Sequence, residues 1–336
     1  MNKILITGAA GFIGSHLVEY LLKDGEPIER LRLVLLENES TKFLPKKNFD
    51  IVRGDIRNID FVKKAMEGVE TIYHLAAIIG TSLDPKEYKK YKEVNVDGTS
   101  NLLSSCAKNE IQKFIFFSTV AVYGLPPWTG DIINWDESHP KTYSEMYGKS
   151  KFEAEKKVIE AHKKWGIPYA IIRPANAYGP RNFGQMYGLY KAIKKHQFVM
   201  IGNGQNKMHY VYVTDLVMGA RQIQLHASKS GDCIIAGSQP TEFRDMVRYI
   251  AESINQKPPK LYIPKNIGLV ASYIMDACGK IIGAKSPLFP DRVKVMTTNY
   301  YYNIEKARKE IGYKPQVSFQ KGAMETGKWY LKNGYL

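Results

Sequence analysis

Short apolar runs alternate with longer amphipathic stretches through the first half of the chain. The runs are rich in β-branched and aromatic residues and nearly continuous, which is typical of strands buried on both faces. They are Lys3–Thr7, Leu31–Leu36, Phe49–Val52, Thr71–Leu75, Phe114–Ser118 and Tyr169–Arg173. Helical periodicity covers the intervening segments Ile13–Lys23, Asp60–Met66, Tyr91–Lys108 and Tyr147–Trp165. This alternation predicts an α/β fold with a doubly wound, Rossmann-like parallel sheet.

After Pro174 the pattern changes, and helices predominate. Helical periodicity covers Glu242–Asn255 and Ile267–Ile282, whereas Val211–Val213 and Cys233–Ala236 are short strand-like runs that we expect to rejoin the main sheet. We therefore predict a smaller, mostly helical C-terminal substrate domain made of two separated pieces of chain. The cofactor domain is expected at residues 1–176 and about 209–237, and the substrate domain at about 177–208 and 238–336.

Composition and charge limit the class of protein. The 336 residues carry 48 Lys and Arg against 33 Asp and Glu, a net charge of +15. The lysines are spread in pairs along the chain, which favours a solvated basic surface over specific nucleic-acid binding. No apolar run reaches the roughly 20 residues of a transmembrane segment. The three cysteines are far apart and the amino end has no signal-peptide pattern, so we expect a cytoplasmic protein without a disulfide framework or a bound metal.

A glycine-rich turn follows the first strand directly. Gly8, Gly11 and Gly14 are spaced G-x-x-G-x-x-G, and Phe12 and Ile13 open the next helix. Glycines let the backbone turn sharply and approach a pyrophosphate, whose charge then lies against the N–H groups of the helix N-terminus. The position of the turn between strand and helix predicts a dinucleotide site.

An acidic residue at the end of the second strand would bind the adenosine ribose of such a dinucleotide. Glu37 stands there, and its carboxylate would repel a 2′-phosphate, so we predict NAD as the cofactor. Lys42 nearby keeps NADP as an alternative. Asp55 and Ile56 follow the third strand and are candidates for contact with the adenine, although a turn-forming aspartate would explain Asp55 equally well.

A tyrosine and a lysine four residues apart open a helix in the middle of the chain. Tyr147 and Lys151 therefore share one helix face. A lysine ammonium and a positive nicotinamide ring would lower the pKa of the tyrosine, so that it could take a proton from a substrate hydroxyl. Thr119, with Ser118 as the alternative, ends the strand before this helix and could share the hydrogen bond of the same hydroxyl. Tyr143 is a weaker candidate because no lysine follows it four residues later.

Eight sequence blocks, in this order, resemble the extended short-chain dehydrogenase/reductases, the NAD-dependent epimerase/dehydratase family. They span nearly the whole chain. The blocks are Thr7–Gly14, His74–Ala77, Asn95–Thr99, Ser118–Gly124, Tyr147–Lys151, Arg173–Pro180, Tyr210–Leu216 and Lys306–Pro315.

The resemblance implies a catalytic set of Thr119, Tyr147 and Lys151, with Lys151 also binding the nicotinamide ribose. It further implies that family members form homodimers through a four-helix bundle, here made from Tyr91–Lys108 and Tyr147–Trp165. Asn95 matches a position that orients the active-site helix. The positions that match the cofactor-binding region are Gly8, Gly11, Phe12, Ile13, Gly14, Glu37, Asp55, Ile56, Leu75, Ala76, Ala77, Asn95, Tyr147, Lys151, Pro174 and Asn176.

The residues after Thr119 bear on the reaction. Dehydratases of this family carry an Asp-Glu pair there to remove a hydroxyl, whereas this chain has Val120 and Ala121. The apolar pair excludes a sugar 4,6-dehydratase and is similar to that of sugar 4-epimerases and simple dehydrogenases. We expect an NAD-dependent epimerase acting on an anionic nucleotide-sugar, with a dehydrogenase or reductase of a hydroxy or keto substrate as the alternative.

One departure from the family pattern concerns the substrate. Nucleotide-sugar epimerases usually place an arginine just before the Tyr-Val-Tyr-Val stretch, where this chain has Met208. Lys207 and Arg181 are candidates to replace it, although lysine lacks the two-pronged geometry that suits phosphate. The departure favours the alternative function, that of the subgroup resembling 3β-hydroxysteroid dehydrogenases and dihydroflavonol reductases. A third hypothesis, an RNA-binding or redox-sensing scaffold without catalysis, is disfavoured because Tyr147 and Lys151 are both present.

Overall fold

The computed structural model describes residues 2–126, 132–227, 230–282 and 290–336. Its strands in chain order are β1 (Lys3–Thr7), β2 (Leu31–Leu35), β3 (Asp50–Arg53), β4 (Val69–His74), β5 (Lys113–Phe117), β6 (Asn134–Trp135), β7 (Tyr169–Pro174), β8 (Asn176–Tyr178), β9 (Met200–Ile201), β10 (Lys207–Met208), β11 (Tyr210–Tyr212), β12 (Gly231–Ile235), β13 (Thr241–Glu242), β14 (Tyr262–Ile263) and β15 (Tyr301–Tyr302). Its α-helices are α1 (Phe12–Lys23), α2 (Ile59–Ala65), α3 (Tyr88–Tyr91), α4 (Gly98–Cys106), α5 (Met146–Trp165), α6 (Gln185–Lys194), α7 (Val213–His226), α8 (Phe243–Ser253), α9 (Lys265–Ile282), α10 (Pro290–Thr297), α11 (Glu305–Ile311) and α12 (Phe319–Lys332).

Seven of the described strands form one parallel sheet in the spatial order β12-β7-β5-β4-β1-β2-β3. The order reverses at β1, so the carboxyl ends of β1 and β4 lie beside each other where a doubly wound sheet binds its ligand. The predicted Rossmann-like fold is therefore confirmed.

Each face of this sheet is covered by its own apolar core. Alternate residues of β1 point to opposite sides, so that Ile4 and Ile6 belong to one core and Leu5 to the other. The first core includes residues of α1 and α7, and the second includes residues of α2, α4 and α5. Burial on both faces explains why the strands read as continuous apolar runs.

Two sequence expectations about the elements need correction. The run predicted as Val211–Val213 forms β11, which pairs with β8 and not with the main sheet, whereas the Cys233 run does join the sheet as β12. The helix predicted over Tyr91–Lys108 is interrupted by a π-helical segment, Lys92–Asp97, between α3 and α4. The extra residue of a π turn shifts the side chains of this segment relative to a regular helix.

Candidate active site

The glycine turn packs tightly between β1, the end of β4 and the first turn of α1. Gly8 adopts a left-handed φ of +67°, and a Cβ on it would lie 2.9 Å from the backbone nitrogen of Ala76. A Cβ on Gly14 would lie 2.1 Å from the carbonyl oxygen of Gly8, so α1 approaches the turn more closely than any other residue would allow. Gly11 caps α1 without a side-chain hydrogen bond.

The first turn of α1 fits a pyrophosphate. It contains no acidic residue, and its leading N–H groups have no side-chain cap. Phe12 and Ile13 open this helix, as the spacing predicts. Orphan N–H groups together with the helix dipole favour a bound anion at this point. The residues present therefore fit the phosphates of a dinucleotide.

Glu37 and Asp55, the two acids expected near the adenosine, differ in their surroundings. Glu37 is exposed just beyond β2, and its backbone carbonyl accepts a hydrogen bond of 2.9 Å from Arg53. The carboxylate of Asp55 accepts two side-chain hydrogen bonds from Arg57, which hold the pKa of that carboxyl below its usual range. Ile56 is buried against Gly98. The Asp55 carboxylate is thus bound within its own turn, whereas Glu37 is exposed to solvent.

A buried histidine connects the ends of β1 and β4. The ring of His74 lies 2.7 Å from the Thr7 hydroxyl and 2.8 Å from the Thr99 hydroxyl. The Thr7 oxygen also accepts the N–H groups of Leu75 and Ala76. This network fixes the half-buried residues 75–77, which border the glycine turn. Sequence reasoning did not identify the hydrogen bonds of His74 with Thr7 and Thr99.

Asn95 lies in the π-helical segment and contacts α5 directly. Its amide donates to the hydroxyl of Ser150 at 2.9 Å and exchanges two hydrogen bonds with the backbone of Ile78. Asn95 is buried and both N–H groups of its amide are used within the protein, so it positions α5, while its predicted contact with the cofactor stays a prediction. Two further positions expected in the cofactor-binding region differ in burial: Pro174 is buried at the end of β7, and Asn176 is exposed at the start of β8.

The first turn of α5 lies against the end of β5. A Cβ on Gly148 would lie 2.6 Å from the carbonyl oxygen of Ala121, so glycine is required for this approach. The Thr119 hydroxyl accepts the N–H of Ala121 at 3.1 Å, which leaves its own proton available for donation. The structure therefore brings Thr119 and Tyr147 together, and their side chains interact.

Burial acts strongly on the pKa values of Tyr147 and Lys151. It raises the pKa of the Tyr147 hydroxyl well above its usual value, an effect that Thr119 opposes and Glu145 increases. It lowers the pKa of Lys151 from 10.5 to about 7, although the charge of Glu155 works against this shift. The Lys151 ammonium lies 4.0 Å from the centre of the Phe116 ring. Burial thus raises the pKa of Tyr147, and the predicted lowering by Lys151 together with a positive nicotinamide ring stays a prediction.

The Ser118 hydroxyl is not directed at Tyr147. Its hydroxyl donates to Glu155 at 2.5 Å, inside a buried network. Glu155 accepts two hydrogen bonds from the guanidinium of Arg173, at 2.8 and 2.9 Å, and Arg173 also binds Tyr123 and Asp232. The structure thus leaves Thr119 as the strand-end hydroxyl near Tyr147. The spacing of Glu155, four residues after Lys151 on the same helix face, was the sequence signal for this network.

The residues expected to bind substrate lie in two places, Lys207 and Met208 on β10 and Arg181 against α1. Met208 is buried in the apolar core, so it presents no group to a diphosphate. Lys207 pairs with Glu242 at 3.0 Å across the β10–β13 ladder, and Arg244 binds the same carboxylate at 2.8 Å. These basic groups therefore have a protein partner already.

Arg181 lies elsewhere. Its guanidinium pairs with Glu19 at 2.6 Å and donates to the Ser15 hydroxyl at 3.2 Å, both on α1. It therefore joins the helix that follows the glycine turn and not β10. The structure does not bring Arg181 together with Lys207 and Met208.

The model of the NAD dependent epimerase/dehydratase family matches residues 4–236. This range covers the main sheet and the predicted cofactor-binding and catalytic residues. The chain belongs to the NAD-dependent epimerase/dehydratase family. It is accordingly an NAD-dependent enzyme of the extended short-chain dehydrogenase/reductase type, with NAD as its cofactor.

Relatives within the family have two kinds of name. An N-acetyl-alpha-D-glucosaminyl-diphospho-ditrans,octacis-undecaprenol 4-epimerase of Escherichia coli O157:H7 is 30% identical over 91% of this chain and 88% of that protein. A 3 beta-hydroxysteroid dehydrogenase/Delta 5-->4-isomerase of Mycobacterium tuberculosis is 27% identical over 98% and 91%. The structure of UDP-glucuronic acid 4-epimerase from Bacillus cereus with UDP-glucuronic acid and NAD has 25% identity and a TM-score of 0.76, covering 98% of this chain and 99% of that one.

Proposed function

We propose that this protein is an NAD-dependent 4-epimerase of a sugar carried on a diphosphate, with a nucleotide-sugar as the substrate class. The observation that carries this proposal is the turn after Thr119, where Val120 is buried and Ala121 packs against Gly148. Neither residue supplies an acid for removal of a hydroxyl, so proton transfer rests on Tyr147. The names of the Escherichia coli and Bacillus cereus relatives support a 4-epimerase.

Tyr147 is the proposed base at the sugar C4 hydroxyl. Thr119, whose hydroxyl proton is not used in its contact with Ala121, donates to the same oxygen and so fixes its position. Bound NAD supplies an acceptor and donor of hydride for the C4 carbon. Because burial raises the pKa of Tyr147, the phenolate depends on positive charge beside it, which Lys151 provides in its protonated form. Asn95 and Ser150 keep α5 in the position that this proton transfer needs.

The proposal is tested by incubating the enzyme with UDP-glucose, UDP-glucuronic acid and N-acetylglucosamine on undecaprenyl diphosphate. We expect inversion at C4 of at least one of them, seen by chromatography or NMR, with no net formation of NADH. The three substrates separate a nucleotide carrier from a lipid carrier. Absence of C4 inversion with all of them would contradict the proposal.

A dehydrogenase of a hydroxysteroid-like alcohol is the second candidate. It is favoured by buried Met208, which replaces the arginine expected for a nucleotide diphosphate, and by the Mycobacterium tuberculosis relative. This activity would reduce free NAD in proportion to the 3β-hydroxysteroid consumed, which absorbance at the NADH band measures. Net reduction of NAD without any C4 epimerase activity would favour it over the first candidate.

Three finer features belong to the same proposal. The chain is a cytoplasmic homodimer joined through α4 and α5, and light scattering after gel filtration would measure its mass. Residues 1–176 and about 209–237 bind NAD, and the remainder binds substrate. The preference for NAD over NADP is the third feature, and titration with both dinucleotides measures it.

A further inference from the structure

Helix α9 presents its apolar side chains outward. Ile267, Val270 and Ile274 recur at helical spacing and are all about 60% exposed, at 60%, 59% and 60%. Its small residues face inward instead: Gly268 and Ser272 are buried, and a Cβ on Gly268 would lie 2.6 Å from the Ile201 side chain. A surface helix of a water-soluble domain normally has the opposite arrangement.

The exposed apolar surface extends beyond this stripe. We call it the α9 face, and it consists of Leu261, Tyr262, Ile267, Val270, Tyr273, Ile274 and Met275, each of which is exposed. Large side chains scattered singly on a surface are ordinary, but a contiguous group on one helix and the segment before it indicates a binding surface.

The α9 face has basic neighbours. From Lys257 to the end of α9 the chain has four lysines, Lys257, Lys260, Lys265 and Lys280, and one acidic residue, Asp276. Lys257 and Lys260 are exposed beside Leu261 and Tyr262. An apolar helix face with tyrosines and adjacent lysines is the composition that binds the headgroup region of an anionic membrane.

Two alternative explanations of the α9 face are weaker. No helix in the described part of the chain is long and apolar enough to cross a membrane, so α9 would lie on a bilayer instead of spanning it. A second copy of the chain would meet the same face in a two-fold contact, so the basic neighbours of both copies would lie at one interface. Like charges would then oppose the contact.

We propose that the α9 face docks on a membrane surface that contains anionic phospholipids. Ile267, Val270 and Ile274 enter the boundary between headgroups and acyl chains, and Lys257 and Lys260 contact the lipid phosphates. Tyr262 and Tyr273 lie at the polar edge of that boundary. This docking does not depend on which substrate the active site takes.

Flotation of the purified full chain with vesicles tests the proposal. We expect binding to vesicles of phosphatidylcholine with phosphatidylglycerol, and weaker binding to phosphatidylcholine alone. Ile267→Glu/Ile274→Glu should reduce the partition coefficient by about tenfold or more, because it removes two apolar contacts and adds two negative charges. Lys257→Gln/Lys260→Gln should reduce binding to the anionic vesicles only, and added salt should mimic that effect.

A matched control is Leu225→Glu, since Leu225 is also an exposed apolar residue but lies on α7. It should bind vesicles as the parent chain does, and circular dichroism should show that all variants are folded. Absence of binding to the anionic vesicles, or equal binding by parent and Ile267→Glu/Ile274→Glu, would overturn the proposal. So would a parent oligomer that this double variant converts to a smaller species, because a second copy would then cover the face.

Discussion

Two regions of helix α5 differ in the charge state of their buried groups: burial favours the neutral forms in one, and the other contains a charged pair. In its first turns, Tyr147 and Lys151 face the end of β5, and burial shifts the pKa of both toward their neutral forms. Further along the helix, Glu155 binds Arg173 through two hydrogen bonds, and Asp232 and Tyr123 complete the set of partners. We call these the reactive region and the paired region.

The difference separates the proposed catalytic groups from groups that hold the fold. In the paired region, hydrogen bonds and the charge of Glu155 outweigh burial and raise the pKa of Arg173, so its charge is permanent. In the reactive region the pKa of Lys151 lies near neutrality, so a small change in its surroundings changes its charge. Substitutions in the first region should therefore change activity, and those in the second should change stability.

Tyr147→Phe should have the largest effect on activity. Removing the hydroxyl removes the proton acceptor, and we expect kcat to fall by about 10²–10⁴-fold. The NAD affinity and the thermal midpoint should stay close to those of the parent, since the ring remains. Substrate turnover and NAD titration measure the two effects.

Tyr143→Phe is the matched control, because Tyr143 lies in the same segment but lacks a lysine four residues later. Its turnover should equal that of the parent. A fully active Tyr147→Phe enzyme would remove Tyr147 as the base and end the distinction between the two regions.

Arg173→Met should have the largest effect on stability. It leaves Glu155 buried without its guanidinium partner, and the free energy of unfolding should fall by about 3–5 kcal/mol. Urea denaturation followed by circular dichroism measures this loss. Arg248→Met, which breaks the exposed pair with Asp245, should lower stability by less than about 1 kcal/mol. Equal losses for the two variants would show that the paired region contributes no more than a surface ion pair.

Lys151→Met should lower activity and raise stability, a combination that the paired region cannot give. The unfolded chain holds the Lys151 proton up to about pH 10.5, whereas the folded chain releases it above about pH 7. Stability of the parent therefore falls as pH falls through this window. Without the lysine, the cofactor-free protein should be more stable by about 1–4 kcal/mol at pH 7.

The gain from Lys151→Met should be larger at pH 7 than at pH 9.5, because releasing the lysine proton on folding costs less as the pH approaches 10.5. Denaturation midpoints at the two pH values measure it. Lys149→Met, at the neighbouring half-buried position over the Tyr88 ring, should show no such pH dependence. A variant that is less stable than the parent at pH 7 would show that Lys151 is paired like Arg173.

Local pattern was sufficient to predict much of the fold and the reactive region. The β1 strand was predicted at its observed bounds, because a doubly covered strand reads as one apolar run. The glycine turn and the spacing of Tyr147 and Lys151 depend on neighbouring residues only, so the sequence contains them directly.

Contacts between distant residues could not be predicted in the same way. Ser118 and Thr119 are adjacent and chemically similar, and only the position of Glu155 on α5 decides which hydroxyl is used elsewhere. Arg181 was a candidate to replace the arginine missing at Met208, and no sequence signal indicated its ion pair with Glu19, 162 positions away. The partner of such a group depends on tertiary packing, which charge and residue type do not reveal.

The two acids near the expected adenosine site differ in the same way as the two regions of α5. We expect the smallest effect of a substitution there. Asp55 is bound by Arg57, as in the paired region, whereas the Glu37 carboxylate is exposed, as a ribose ligand should be. Glu37→Ser should weaken NAD binding by about tenfold, since hydrogen bonds to a charged group are worth roughly 1.5–3 kcal/mol. It should also narrow the preference for NAD over NADP, because the repulsion of a 2′-phosphate is lost. Fluorescence titration with both dinucleotides measures the ratio, and Asn38→Ser in the same loop should leave it unchanged; an unaltered ratio in Glu37→Ser would place the ribose contact on another residue.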